Sequence, residues 1–89
     1  MRVVITIIGQ DRVGIVAMVS TALAEQNVNI LDINQNIMNG FFNMVMIADM
    51  SGAKISLKDL QQLFKVKGEA IGVEIKVQHE DIFKIMHRV

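Results

Sequence analysis

The residues best suited to chemistry lie in GQDRVGIV, Gly9 to Val16, where a charged pair stands between two glycines and an apolar series begins. The spacing of that series predicts a helix, so the amides of Val13, Gly14 and Ile15 fall at its start. The first amides of a helix lack intrahelical acceptors and carry partial positive charge, which suits a carboxylate. Gly14 has no side chain and lets a ligand approach the backbone. Asp11 supplies the opposite charge, suited to an ammonium group. A carboxylate seat beside an ammonium holder describes an amino-acid site. The same residues admit a plainer reading, in which Asp11 caps the helix and Gly14 eases helix–strand packing.

Other chemistries fit less well. A phosphate loop needs a longer glycine run ending in Lys and Ser or Thr, and a dinucleotide fingerprint needs G-x-G-x-x-G; GQDRVG has neither. His79, Glu80, Asp81 and His87 are metal-ligating types. The two histidines are eight residues apart, however, about 80° off a common helix face. Capping of a tail helix by Glu80 or Asp81, with His87 near its C-terminus, explains them more simply, so no metal or other cofactor is expected. No Ser–His–Asp set or carboxylate pair can be assembled, so no catalytic residue is assigned.

The elements that hold the loop follow from periodicity. Val3–Ile8 is short and mostly β-branched, predicting a strand central in a sheet or buried on both faces. Ile15, Val16, Met18, Val19, Ala22 and Leu23 give the first helix, closed by Asn27 in the left-handed region. Val28–Asp49 reads as a hairpin turning at Asn39-Gly40, because a type I′ turn needs positive φ at both positions. That turn pairs residues whose numbers sum to 79. It sets Leu31, Ile33, Gln35 and Ile37 against Ala48, Met46, Met44 and Phe42 on a face expected to meet the helices. The methionines at 44 and 46 are then core filler. The opposite face mixes Asp32, Asn34 and Asn36 with Val45, Ile47, Phe41 and Met38.

Ser51–Ile55 is expected as a loop. Ser56 with Asp59 resembles a capping box opening a second helix through Leu60, Leu63, Phe64 and Ile71, which Gly72 closes. Val73–Gln78 alternates as a strand with one wet face. Ile82, Ile85, Met86 and Val89 predict a short tail helix. The order βαββαβ predicts an α+β, ferredoxin-like sandwich: a four-stranded antiparallel sheet, both helices on one face, the first strand central, and a short C-terminal helix.

Composition narrows the function. The 89 residues make one domain, 1–89, and 52% are apolar. Without Cys there are no disulfides and no thiolate chemistry. Nine basic residues balance nine acidic ones and are spread along the chain, with four Phe as the only aromatics, so no nucleic-acid surface is expected. No apolar run approaches the length of a membrane span, and no signal-peptide pattern is present; the expectation is a cytoplasmic protein that binds no membrane.

GQDRVGIVAMV, followed after a helix by NVNILDINQ, resembles the ACT domain pattern of an apolar strand, a G-x-D-[KR]-x-G-[IL]-V turn, and G-x-N-I entering the second strand. The match runs from Met1 to about Gln78. The tail HEDIFKIMHRV is similar to that of small stand-alone ACT proteins, themselves similar to the ACT repeats of the glycine cleavage repressor. Val13 stands where many members carry Pro, and Asn27 where many carry Gly. The resemblance implies a regulatory, non-catalytic protein that binds an amino acid or related metabolite. It also implies a site shared between the first loop of one copy and the second-strand entry of a neighbour. Carried over, that site is Asp11, Val13, Gly14 and Ile15 with Asn29 and Ile30. The implied partners are a second copy of the chain, the small molecule and a regulated protein not identified by sequence.

Two alternatives remain. One is a homodimerisation module without ligand, assembled through the half-apolar face of Val45, Ile47, Phe41 and Met38 or through sheet edges. The other is an acylphosphatase-like hydrolase using Arg12 with Asn34 or Asn36. The loop does not fit that family's G-x-V-Q-G-V pattern, and Asp11 would repel a phosphate.

Overall fold

The computed structural model describes residues 1–10 and 13–86, and Asp11, Arg12, His87 and Val89 lie outside them. The elements are β1 (Arg2–Gln10), α1 (Ile15–Glu25), β2 (Asn29–Met38), β3 (Phe41–Asp49), α2 (Leu57–Ile71), β4 (Val73–His79) and α3 (Glu80–Met86). The strands form one antiparallel sheet in the order β2-β3-β1-β4. This is the expected ferredoxin-like arrangement with a terminal helix.

The core lies between this sheet and helices α1 and α2. Val3, Ile5 and Ile7 of β1 meet Phe42, Met44, Met46 and Ala48 of β3, Val73, Ile75 and Val77 of β4, and the buried stripes of the helices. Those stripes are Ile15, Val19, Ala22 and Leu23 on α1, and Leu60, Phe64 and Gly68 on α2. Met44 and Met46 are core filler, as expected.

Of the two readings of β1, the central position holds, with β3 on one side and β4 on the other, whereas burial on both faces does not. On its outer face Val4 is buried but Ile8 is exposed. The cause is α3, which packs beside β1 and β4 at one end only. Arg2 Nε donates to Glu80 Oε2 at 2.9 Å and fixes that helix at the Arg2 end. Among the described residues nothing comparable covers Ile8, which is 53% exposed.

The hairpin turns where the sequence requires, with φ of 52° at Asn39 and 81° at Gly40. Pairs summing to 79 hold from Met38/Phe41 to Asp32/Ile47, and then a bulge at Leu31 shifts the ladder. Ile30, not Leu31, faces Ala48. The extra residue, Leu31, is left out of the ladder and is 47% exposed. A second correction concerns the helix side of β2. Ile33 and Ile37 are 44% and 50% exposed rather than covered, because β2 is the sheet's edge and the helices stop short of it.

Helix ends follow local chemistry. Ser56 Oγ accepts from the Asp59 amide at 3.1 Å, opening α2, and Gly72 at φ 76° closes it. At the end of α1, Val28 N donates to Leu23 O at 2.9 Å and Asn27 N to Ala24 O at 3.1 Å. With Asn27 at φ 57° this is a Schellman closure, and its usual apolar contact is supplied by the buried pair Val28 and Leu23. Asn27 Nδ2 also donates to Gly52 O at 2.8 Å, tying the β3–α2 loop to the helix end. The tail helix opens differently from expectation. His79 Nδ1, rather than a carboxylate, accepts from the Asp81 amide at 3.0 Å.

Candidate ligand-binding site

The first loop leaves β1 at Gln10 and enters α1 through Val13 and Gly14. Gly14 is the N-cap residue of α1 at φ 91°, and among the described residues no side chain caps the first amides. Asp11, expected as the cap, therefore stands three residues before the cap position and lies outside the described residues. A Cβ on Gly14 would meet nothing within 4 Å. The glycine is required by its left-handed backbone, and the space beside it is open. Gly9 has the opposite reason: a Cβ there would stand 2.6 Å from Val73 Cγ1, so β1 and β4 close only over a glycine.

The other loop residues divide sharply. Val13 is fully exposed, whereas Ile15 is 2% exposed and turned into the core. Ile15 thus offers a ligand its backbone only. Val13 and Gly14 line a cleft of about 430 Å³ with Met18 of α1 and with Ala70 and Ile71 at the end of α2. The last three were not singled out as site residues from the sequence. Met18 carried a signal as part of the apolar helix stripe, but Ala70 and Ile71 enter only because the end of α2 borders the same cleft as the start of α1.

This cleft lies between the N-terminal pole of α1 and the C-terminal pole of α2. The first turn of α1 has no acidic side chain, and the last turn of α2 has no basic one. Neither pole is neutralised by its own helix. A partial positive end and a partial negative end, each equivalent to about half a charge, border one small space. That arrangement matches a zwitterion's carboxylate and ammonium.

Asn29 and Ile30 are elsewhere. Asn29 opens β2, exposed, in register with Asp49, and Ile30 is half-buried against the core. Their row contains Arg2, whereas the first loop leaves the row of Gln10. Eight residue steps separate those rows, roughly 26 Å along the strands. One copy therefore does not unite Asn29 with the loop. Beside Asn29, the Ser51 hydroxyl at 2.6 Å and the Ser51 amide at 2.9 Å hold the Asp49 carboxyl below its ordinary pKa. The strand entry thus carries a fixed negative charge.

No group of three or more His, Cys, Asp or Glu able to hold a metal occurs among the described residues, and no described helix is long and apolar enough to cross a membrane.

Residues 1–78 match the family model for the ACT domain, and the chain belongs to that family. It is 54% identical over 88 residues to a UPF0237 protein of Methanocaldococcus jannaschii, covering 99% of this chain and 98% of that one. A UPF0237 protein of Clostridium perfringens is 47% identical over the full length of both. Among solved structures, an ACT domain protein from Streptococcus pneumoniae superposes with a TM-score of 0.82 at 36% identity, over 94% of each chain. A formyltetrahydrofolate deformylase from Pseudomonas syringae pv. tomato matches with a TM-score of 0.80 at 28% identity, over 88% of this chain but 27% of that enzyme. A protein described as a glycine cleavage system transcriptional repressor shares the fold, with a TM-score of 0.76 at 20% identity over 89% of this chain and 47% of that one. ACT domains commonly bind small molecules and oligomerise.

Proposed function

We propose that this chain is a cytoplasmic, non-catalytic amino-acid sensor: one ACT unit over 1–89 that works as a homo-oligomer and passes its signal to another protein. The observation that carries this reading is the cleft between two uncompensated helix poles. An amino acid's carboxylate meets the amides near Val13, Gly14 and Ile15. Its ammonium meets the end of α2 and Asp11. A side chain of moderate size fits against Met18 and Ile71.

The separation of the loop and Asn29 supports an oligomer, because the family resemblance puts both in one site. Two copies paired antiparallel along β2 set the Asn29 row of one beside the Met38 row of the other, at the sheet end where the loop emerges. The uncovered Leu31, Ile33 and Ile37 on that edge support such an assembly, because a neighbour would bury them. Ligand and neighbour then share a site, so binding and assembly are linked and each strengthens the other.

The test is a thermal-shift screen of the amino acids, followed by calorimetry. A ligand at about a hundred times its Kd stabilises by about 2.7 kcal/mol. In a domain of this size that is a rise in Tm on the order of 10 °C or more. Asp11→Ala and Asn29→Ala should each weaken the response. A response to no amino acid, with a robust oligomer by sedimentation, would favour the ligand-free assembly module. Hydrolysis of an acyl phosphate that disappears in Arg12→Ala would replace both readings with an enzyme.

A further inference from the structure

The sheet's other edge, β4, carries its own address. Gln61 Nε2 donates to Val77 O at 2.7 Å, and a Cβ on Gly68 would stand 2.6 Å from Val73 O. Both carbonyls therefore point away from β1. Backbone groups alternate along a strand, so Val73, Ile75 and Val77 present their N–H and C=O outward. Among the described residues no strand lies beyond them, because β4 ends the sheet. Along this edge runs a groove of about 700 Å³ between β4 and the flank of α2 formed by Gln61, Lys65 and Glu69. We infer that this edge pairs with β4 of a second copy, antiparallel and in a single register, giving the chain an assembly surface distinct from the β2 edge.

The register follows from parity and charge. Two outward-facing rows can join about a two-fold axis at residue 74, 75 or 76. An axis at 74 sets Glu74 against the other copy's Glu74, and an axis at 76 sets Lys76 against Lys76. Like charges directly opposite are destabilising. Only the axis at Ile75 places each Glu74 across from the other copy's Lys76. It also pairs all three outward residues, Ile75 with Ile75 and Val73 with Val77. The 74/76 pairs then occupy non-hydrogen-bonded positions, where side chains approach most closely. Within one copy Glu74 and Lys76 already meet at 3.2 Å on an exposed face, so both are free to turn to a neighbour. Val77 O can keep its bond from Gln61, since a carbonyl has two lone pairs. Lys65 lines the groove beside β4.

The chain has no native cysteine, so directed cross-linking reads this register cleanly. Mild oxidation of a mixture of Glu74→Cys and Lys76→Cys chains should give a disulfide-linked heterodimer. Either variant alone should give none, because its thiols do not face each other. Sedimentation supplies the second arm. Glu74→Lys alone and Lys76→Glu alone should each weaken self-association roughly tenfold, as two attractive pairs become repulsive. The double variant Glu74→Lys/Lys76→Glu should restore it, and so should an equimolar mixture of the two single variants. Circular dichroism on each variant confirms the fold, which these exposed positions should not disturb. Self-linking by either cysteine variant as readily as cross-linking would overturn the register. Sedimentation unchanged by both single reversals, or a double variant that stays dissociated, would overturn the interface. The amino-acid response is read separately and does not bear on either outcome.

Discussion

Helices α1 and α2 lie on the same face of the same sheet, yet their N-termini are built in opposite ways. α2 begins at Ser56, whose hydroxyl takes the Asp59 amide, and Asp59 adds a negative charge to the first turn. α1 begins at Gly14, with no side chain of the described residues on its amides and no acid in its first turn. A cap of the α2 kind contributes about 1 kcal/mol. The chain forgoes that at α1 and compensates at the other end, where the Asn27 closure and its bond to Gly52 anchor the helix. An end that is merely structural is satisfied locally. An end left open, beside a cleft and next to another helix's C-terminal pole that carries no basic side chain, is available to a ligand.

The strongest way to break this contrast is through the glycines. In Gly68→Ala the added methyl meets the Val73 carbonyl, a backbone atom that cannot step aside. Overpacking of this kind costs about 1–3 kcal/mol, and we expect the upper part of that range. The loss belongs to α2 and β4, so chemical denaturation should show it while the response to an amino acid persists in the folded fraction. Gly14→Ala should cost less, about 1–2 kcal/mol, because only the positive φ is strained and the space is empty. Its signature is different: it should also weaken the ligand response, since relief of the strain rotates the amides of the seat. Equal ligand responses in the two variants would remove the distinction between the helix ends.

Next in size is Ser56→Ala, expected to lose about 1 kcal/mol, or a fall in Tm of about 4–8 °C. The ligand-induced shift should stay as large as in the parent chain. A reduced shift would mean that the two helix ends are coupled and the division drawn above is wrong.

The two ends were not equally legible. Ser56 and Asp59 three apart spell a cap, and Asn39-Gly40 spells a turn; both need only neighbouring residues, and both proved right. Asn27 was legible because few residues other than glycine accept positive φ. The bulge at Leu31 was not, because the alternation of β2 continues without a break and only the ladder to β3 shows the slip. The exposure of Ile33 and Ile37 was hidden for a related reason. Their pattern states which face they share with Met46 and Phe42, not how far the helices reach across it. The candidate site was half legible. The loop and its amides could be read and the strand entry came from the family resemblance alone, but the contribution of Ala70 and Ile71 depends on two helix ends, about 55 residues apart in sequence, bordering one cleft.

The smallest expected effect separates α3 from both longer helices. Its first turn carries Glu80 and Asp81, and Glu80 is bonded to Arg2 at 2.9 Å and to Lys84 at 3.3 Å. The Arg2 bond, chiefly, holds the Glu80 carboxyl below its ordinary pKa. Ser51 does the same for Asp49. A carboxyl whose folded pKa is depressed binds its proton less readily than the unfolded chain does. Its contribution is therefore present above the ordinary carboxylate range and declines as pH falls through that range toward the folded value. Stability should sag on acidification below about pH 5, and Glu80→Gln should flatten part of that slope. Neither the hydroxyl cap of α2 nor the bare amides of α1 titrate there. If Tm against pH has the same slope in Glu80→Gln as in the parent chain, the Arg2–Glu80 pair is not what fastens α3 to the sheet, and the burial of Val4 must rest on apolar contact alone.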